Sequence, residues 1–567
     1  MRQILLSVML CFLALQYTYA QGPKWVTKSK RAVFSVMTFD KDDHLLKTGN
    51  GFFISDKGIG VSDYNLFKGA YRAIVINSEG KELPVYSILG ADDTYDVVKF
   101  RVDITDFKKM VALEPFTDSV KVGSEVVVLP YSVQKDRLCK PGKIKRIDRI
   151  RDNYAYYTLD LRVGETLISC PVLNSDGKVV ALLQRNFADE DSMTSHAVDI
   201  NFIRSLQVQA LSYGDITLKD IHIKKGLPEE ESDALIYLYM VSANSSQQEI
   251  GDLLNDFIYQ FPNSNEGYLK RAQHILNNAT DMKDVARADE DMKKAYTVST
   301  NKDEVLFSLS KIILANQNVE LLNNQSDWSL DEALKKINEA ISIKKEPIYI
   351  QIKGEILVAL ERYDEALTCY DEVNKSDIAS AASFYNTALV NKVKGVEDTV
   401  VLALMDSCIN RLEKPYTMNA APYLFERAQL LEEAGKNREA LLDLKEYYYA
   451  VDGQVNANFF YYREQVAVKA RLYQQAFDDL DLALQLEPNE TLYIAEKASL
   501  NLRVGRYKEA LEDIEKILNI DSKNGEAYRL QGVAYIQLKD NRACESLQKA
   551  KELGDPLVDQ IIEKHCK

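Results

Sequence analysis

Histidine and cysteine are scarce in this 567-residue chain, which holds five of the first and seven of the second. The histidines, His44, His196, His222, His274 and His565, form no HExxH motif, and no two cysteines are spaced as CxxC. These absences argue against the common zinc-hydrolase, structural-zinc and thioredoxin-type patterns, so neither a metal nor another cofactor is expected. Long apolar runs are confined to the first residues, and no transmembrane segment is expected in the mature chain. Positive charge is in deficit as well, with 70 Lys and Arg against 85 Asp and Glu and a formal net charge of −15. So acidic a chain repels a polyphosphate backbone unless its bases are segregated. The densest basic stretch, Lys140, Lys143, Lys145, Arg146, Arg149 and Arg151, alternates around Ile144, Ile147 and Ile150. That is the pattern of a strand with one solvated face, and no basic aromatic groove accompanies it, so nucleic acid is not an expected partner.

What is present first is an export signal. Arg2 precedes an apolar run from Ile4 to Leu15, and the small residue Ala20 follows, so residues 1–20 read as a signal peptide cut after Ala20. Cys11 is a poor lipoprotein anchor, because bulky Met9 and Leu10 stand where small residues are expected. The exported chain then belongs to a periplasm, a cell surface or the medium, and the sequence leaves all three open, as it does the oligomeric state. Six cysteines remain in that oxidising setting, too few for a disulfide scaffold of this length.

Two periodicities follow one another. From residue 24 to 206 the apolar runs are short: Val33–Val36, Gly51–Ser55, Ala73–Ile76, Val97–Phe100, Val126–Leu129 and Val179–Leu183. Turn formers such as Asp56-Lys57-Gly58 and Asn174-Ser175-Asp176-Gly177 separate them, which predicts a β-barrel or sandwich. After a linker at 207–230 the period becomes helical and a repeat appears. Ala333, Ala366, Ala403, Ala440, Ala476, Ala510 and Ala543 recur at intervals of 33, 37, 37, 36, 34 and 33 residues. Each unit reads as two helices, with the alanine allowing close approach of the pair.

Gly354, Leu357, Tyr363, Ala366 and Tyr370 in one unit, Tyr528, Gly532, Tyr535 and Ala543 in another, and Pro488 closing a third, make residues 347–554 similar to tetratricopeptide repeats. Residues 231–346 look like divergent helix pairs of the same kind, and 555–567 like a capping helix. The resemblance implies about nine helix pairs in a superhelical all-α solenoid that binds a protein or peptide. In such an array Tyr461 is the candidate peptide anchor, while its neighbour Phe460 is assigned to the core. Cys544 begins one terminal helix and Cys566 ends the next. At about 1.5 Å per residue the chain returns to the same height, which favours a disulfide between them over two separate buried thiols.

The first domain resembles the trypsin-like serine peptidases of the Deg type. Gly49-Asn50-Gly51-Phe52-Phe53-Ile54-Ser55, Val122-Gly123-Ser124-Glu125-Val126-Val127 and Pro171–Val180 carry the likeness, which implies a double β-barrel. The chemistry of that family needs a serine, an imidazole and an orienting carboxylate. In the stretch matching its histidine motif, Ser62-Asp63-Tyr64-Asn65, the imidazole position holds Asn65. Asp96 corresponds to the carboxylate, and Ile168 stands at the serine position, within Thr166-Leu167-Ile168-Ser169-Cys170-Pro171. An amide is no general base near neutral pH. The resemblance therefore implies a pseudoprotease, and the alternative is an active endopeptidase with Ser169 as nucleophile and an unusual base. Cys170 lacks a histidine partner for nucleophilic work, and Cys139 and Cys170 are left as either a disulfide or two free thiols.

Overall fold

The computed structural model describes residues 23–105, 110–133, 139–151, 153–185, 193–322 and 325–566, so the expected signal peptide lies outside the described residues. The chain divides into two compact units, one ending at Ser299 and the other beginning at Thr300.

The first unit opens with two closed antiparallel barrels of six strands each. β1 (Val33–Phe39), β2 (Leu45–Ser55), β3 (Ile59–Ser62), β4 (Arg72–Ile76), β5 (Glu82–Asp92) and β6 (Val97–Val102) close in the order β1-β2-β3-β6-β5-β4. The second barrel repeats that order with β7 (Glu125–Val128), β8 (Lys140–Ile150), β9 (Tyr154–Leu159), β10 (Pro171–Leu173), β11 (Val179–Leu183) and β12 (Ser195–Asp199). Every apolar run singled out above falls in or at the end of one of these strands, because β-branched and aromatic residues pack best on a pleated, half-buried surface. In β8, Ile144 and Ile150 are buried while Lys143 and Arg146 pair at the surface with Glu125 and Asp148. Gly51 is required by contact: a Cβ there would sit 2.4 Å from the Phe34 ring and 2.5 Å from the Val61 carbonyl.

Val33, Phe52, Val61 and Val97 from the first barrel and Leu129, Leu173, Val198 and Phe202 from the second make one buried cluster, so the barrels share a seam. The interior of the first barrel is continuous with a different region. Phe34, Phe100 and Ile88 belong to the same cluster as Val208, Leu218, Ile221 and Leu227, and further on Tyr237, Leu254 and Phe257. The stretch 207–230, expected as a linker, is thus a strap laid on the barrel. Its backbone is tied down at Val208 to the Leu89 carbonyl (2.9 Å), at His222 to the Ala70 carbonyl (2.8 Å) and at Gly226 to the Ile88 carbonyl (2.7 Å). Buried apolar residues on the strap explain the departure, since a free linker has no face to bury. Two helix pairs, Glu231–Ser242 with Gln247–Gln260 and Asn265–Asn277 with Met282–Val298, complete this unit.

The second unit is all helix: seven pairs and a terminal helix among the described residues. In the second helices beginning at Leu330, Tyr363, Asn437, Tyr473 and Tyr507, the fourth residue is a fully buried alanine: Ala333, Ala366, Ala440, Ala476 and Ala510. Ala403 breaks the series. In the helix Asp398–Ile409 the fourth residue is Val401, which is buried, and Ala403 is exposed. Residues two apart lie on different faces of a helix, so a two-residue offset in the connections turns Ala403 outward. Opposite the alanines, the eighth residue of the first helix is also small: Gly354, Ala388, Ala428, Ala498 and Gly532. A Cβ on Gly532 would lie 2.5 Å from Leu547 Cγ. The exceptions in this column are Leu309 in the helix Lys302–Ala315 and Glu464 in the helix Ala457–Lys469.

Cys544 and Cys566 are joined by a disulfide with Cα atoms 5.6 Å apart. Cys139 and Cys170 are free. They belong to different cores, Cys139 at the seam between the barrels and Cys170 inside the second barrel, so their thiols do not meet. The Cys544–Cys566 loop, with a separation of 22 residues, removes loop entropy from the unfolded tail worth about 3 kcal/mol. Replacing both cysteines by serine is expected to lower the local stability of residues 543–565 by about that much. Hydrogen exchange on that segment measures it.

Candidate functional site

The positions that the peptidase resemblance singles out converge at the seam between the two barrels. β3 ends at Ser62, and Asp63 caps the short helix α1 (Tyr64–Phe67), its Oδ1 accepting the Leu66 N–H at 3.0 Å. Asn65 is exposed on that helix. Its side-chain oxygen accepts from Lys47 Nζ at 2.7 Å, and its backbone N–H donates to Asp96 Oδ1 at 2.7 Å. Asp96 sits in the turn before β6 at a φ of 48°. The structure thus brings Asn65 and Asp96 together, but through a main-chain amide, and a lysine occupies the side chain where a base would be needed. Burial raises the Asp96 carboxyl above its usual range, against the Asn65 N–H, Arg185 and Lys47.

The facing loop of the second barrel is folded in on itself. Glu165–Leu167 forms a single 3-10 turn, and the amides of Leu167, Ile168 and Cys170 donate to the carbonyls of Gly164, Glu165 and Leu167. The Ser169 amide donates to the Leu183 carbonyl at 2.8 Å. An oxyanion hole needs two amides aimed outward at a developing negative charge, and here three are spent within the loop and the fourth on β11. Asn50 on β2 holds the loop from the other barrel, its Nδ2 donating to the carbonyls of Thr166 (3.1 Å) and Ile168 (3.0 Å). Ile168, at the serine position, is half-buried and offers only hydrocarbon.

Ser169 has the wrong surroundings for a nucleophile. It is 0% exposed, its backbone stands at a φ of 62°, and its hydroxyl donates to Asp63 Oδ2 at 2.6 Å. A left-handed residue following Ile168 turns its side chain inward, away from solvent and any substrate carbonyl. Cys170 is fully buried, and burial pushes its thiol up to about 12, so no thiolate forms near neutral pH. Among the described residues no histidine bonds to Asp63, Asp96 or Ser169. His196 lies on β12 stacked against Tyr156, with ring centroids 5.6 Å apart, and His222 stacks on Tyr71.

Asp63 is the residue that the motif comparison passes over. It takes one donor from its own helix and one from the other barrel, and burial pushes its carboxyl up to about 6, with the Ser169 bond opposing and Asp96 adding. Its place before a helix start is legible as a cap; its bond to Ser169, 106 positions away, is not. Asn50 and Lys47 were likewise unmarked. One group of possible metal ligands occurs among the described residues, Asp40, Asp42 and His44 on the exposed β1–β2 turn. There Asp40 Oδ1 already accepts the backbone N–H groups of Asp42 and His44, both at 2.9 Å.

In the second unit, Phe459 and Phe460 are buried, and Arg463 lies over both rings while pairing with Asp479. Tyr461, the candidate peptide anchor, is half-buried with its ring 5.3 Å from that of Tyr493. Tyr462 instead donates to Glu432 at 2.6 Å.

Comparison with known proteins agrees with both halves. No family model matches the chain. A probable periplasmic DegP-like serine endoprotease of Halomonas elongata is 27% identical over 142 residues, 24% of this chain and 29% of that protein. Tetratricopeptide repeat protein 13 of Homo sapiens is 27% identical over 184 residues, 32% of this chain and 20% of that protein. The Hsp70-Hsp90 organizing protein of Triticum aestivum is 22% identical over 246 residues, 41% of this chain and 39% of its own length. The chain therefore spans well under half of each of these relatives. They are consistent with the arrangement seen here, a trypsin-like double barrel followed by tetratricopeptide-like helix pairs.

Two substitutions test the seam. Ser169→Ala leaves a buried carboxyl oxygen without its donor and is expected to cost about 1–3 kcal/mol in thermal or denaturant unfolding. Asp63→Asn keeps the shape and both partners, since an amide can cap Leu66 and donate to Ser169. Burial raises the folded Asp63 above its unfolded value, so the folded chain holds the proton more tightly, and wild-type stability falls as pH rises from about 4 to about 6. Asp63→Asn removes that slope. The variant is expected to match wild type near pH 4 and to melt higher than wild type at pH 7.

Proposed function

We propose that this chain is an exported protein-binding scaffold, in which the tetratricopeptide array binds a protein or peptide partner and the trypsin-like domain is catalytically inactive. The observation that carries the inactive reading is the buried Ser169–Asp63 hydrogen bond in a seam without an imidazole. Acyl transfer in this fold requires a base that accepts a proton near neutral pH and a nucleophile exposed to the substrate. Asn65 supplies no base, Ile168 no nucleophile, and the loop amides no oxyanion hole. The domain retains its fold because its core is apolar and independent of the catalytic positions. Its strap and following helices share that core, which makes the barrel a rigid platform for the chain that leaves it.

Support for protein binding comes from the repeat itself: stacked helix pairs present an extended surface, and relatives of the chain include proteins named for tetratricopeptide repeats. Support for export comes from the apolar run after Arg2 and from a relative described as periplasmic. Among the described residues no helix is long and apolar enough to cross a membrane.

Fluorophosphonate labelling of the purified chain tests the inactive reading, with digestion of unfolded casein alongside. Wild type and Ser169→Ala are expected to label equally, at background, and to leave casein intact. Labelling and cleavage that vanish in Ser169→Ala would overturn it in favour of a peptidase. For the scaffold, crosslinking in the native envelope followed by mass spectrometry is expected to place partner links on residues 300–567. Amino-terminal sequencing of the exported protein is expected to begin at Gln21.

A further inference from the structure

Glu464 is the one charged residue in its column among the described helices of the second unit. The equivalent eighth residue of the neighbouring first helices is Ala428 on one side and Ala498 on the other, each fully buried against a paired helix. A carboxyl in that place is 2% exposed, and its Oε2 has no hydrogen-bond partner. Such a group costs stability unless something supplies a donor or a charge, and places where a sequence breaks its own local rule are where function is expected.

The surroundings say what is missing. Call the helix Ala457–Lys469 α2 and the helix Thr491–Arg503 α3. Tyr461 on α2 lies one turn before Glu464, its hydroxyl within electrostatic reach of Glu496 on α3 and its ring 5.3 Å from that of Tyr493. Tyr493 is itself fixed by donating to Asn458 at 2.9 Å. The other nearby acids are already served. Asp479 takes Arg463 at 2.9 Å, Glu526 takes Arg529 at 2.7 Å, and Asp481 takes Lys497 at 2.5 Å. Arg503, the last residue of α3, acts on both Glu464 and Glu496 but makes no ion pair with either within 4.0 Å. Burial lifts the Glu464 carboxyl to about 7, and Glu496 and Asp479 add to the rise. Two carboxyls without a bonded cation, beside a tyrosine ring, repel an anion and reward a cation through charge, hydrogen bond and ring face together.

We infer that the seam between α2 and α3 is a binding site for a cationic side chain, lysine or arginine, carried by an extended segment of a protein partner, with Glu464 and Glu496 as its carboxylates and Tyr461 as its aromatic wall. This rests on the reading of the helical array as a peptide-binding surface and adds the chemistry of what it takes.

The test is fluorescence anisotropy of the full chain with four labelled twelve-residue peptides, in which alanine alternates with lysine, arginine, norleucine or glutamate. The lysine or arginine peptide is expected to bind, and Glu464→Ala and Glu496→Gln each to weaken it at least tenfold. Glu515→Gln, which removes the same charge from an exposed face of the array, is expected to change it less than twofold. Glu464→Ala restores the residue of the neighbouring units, so its melting temperature is expected to equal or exceed that of wild type, which separates lost binding from lost fold. Unchanged binding in Glu464→Ala would overturn the inference, as would an equal loss in Glu515→Gln or no binding of any peptide. Preference for the norleucine or glutamate peptide would overturn it too, while leaving the peptide-binding reading in place.

Discussion

A carboxylate taken out of water must be given donors, and that constraint organises both units of this protein. Asp63 is satisfied by the Leu66 amide and the Ser169 hydroxyl, and in taking them it ties the cap of a helix on one barrel to a loop of the other. Asp443 and Asp479 are satisfied by Arg427 and Arg463 from the partner helix of the same pair, which fixes the two helices in register. Glu464 carries an oxygen that no group among the described residues satisfies. The same physics therefore yields a latch in the first case, a rung in the second and an open demand in the third.

The seam between the two barrels is held by structural hydrogen bonds. A working site keeps a serine exposed, an imidazole beside it and amides pointing outward, all of which cost stability. Here the amides of Leu167, Ile168 and Cys170 close a turn, and the buried Ser169 hydroxyl donates to Asp63. Asn50 then donates to two carbonyls of the same loop, so the loop is held from both sides of the seam.

In the array, small residues do the complementary work. Gly and Ala at the crossing of each pair let the helix axes approach, and the aromatic side chains fill the space beside them. Tyr447, Tyr448, Phe459 and Phe460 form such a cluster, with the Arg463 guanidinium over three of the rings before it reaches Asp479. Tyr461 and Tyr462 follow in the same run but leave the core, one toward Glu496 and the other toward Glu432.

Periodicity by itself determined the two fold classes, because strand alternation and helical spacing are local and leave their mark on every few residues. The resemblance to serine peptidases, rather than periodicity, implied that Asn65 and Ile168 stand at the imidazole and serine positions, and neither an amide nor a hydrocarbon side chain performs that chemistry. Register was already less legible, as Ala403 shows, since one lengthened connection shifts a helix face without disturbing composition. Only the tertiary structure decided that 207–230 is a packed strap, that Cys139 and Cys170 lie in separate cores, and that Ser169 is spent on Asp63. Those outcomes depend on which residues meet across a hundred positions, and a hydrogen bond at 2.6 Å is set by the packing of two barrels rather than by anything in the residues' own neighbourhoods.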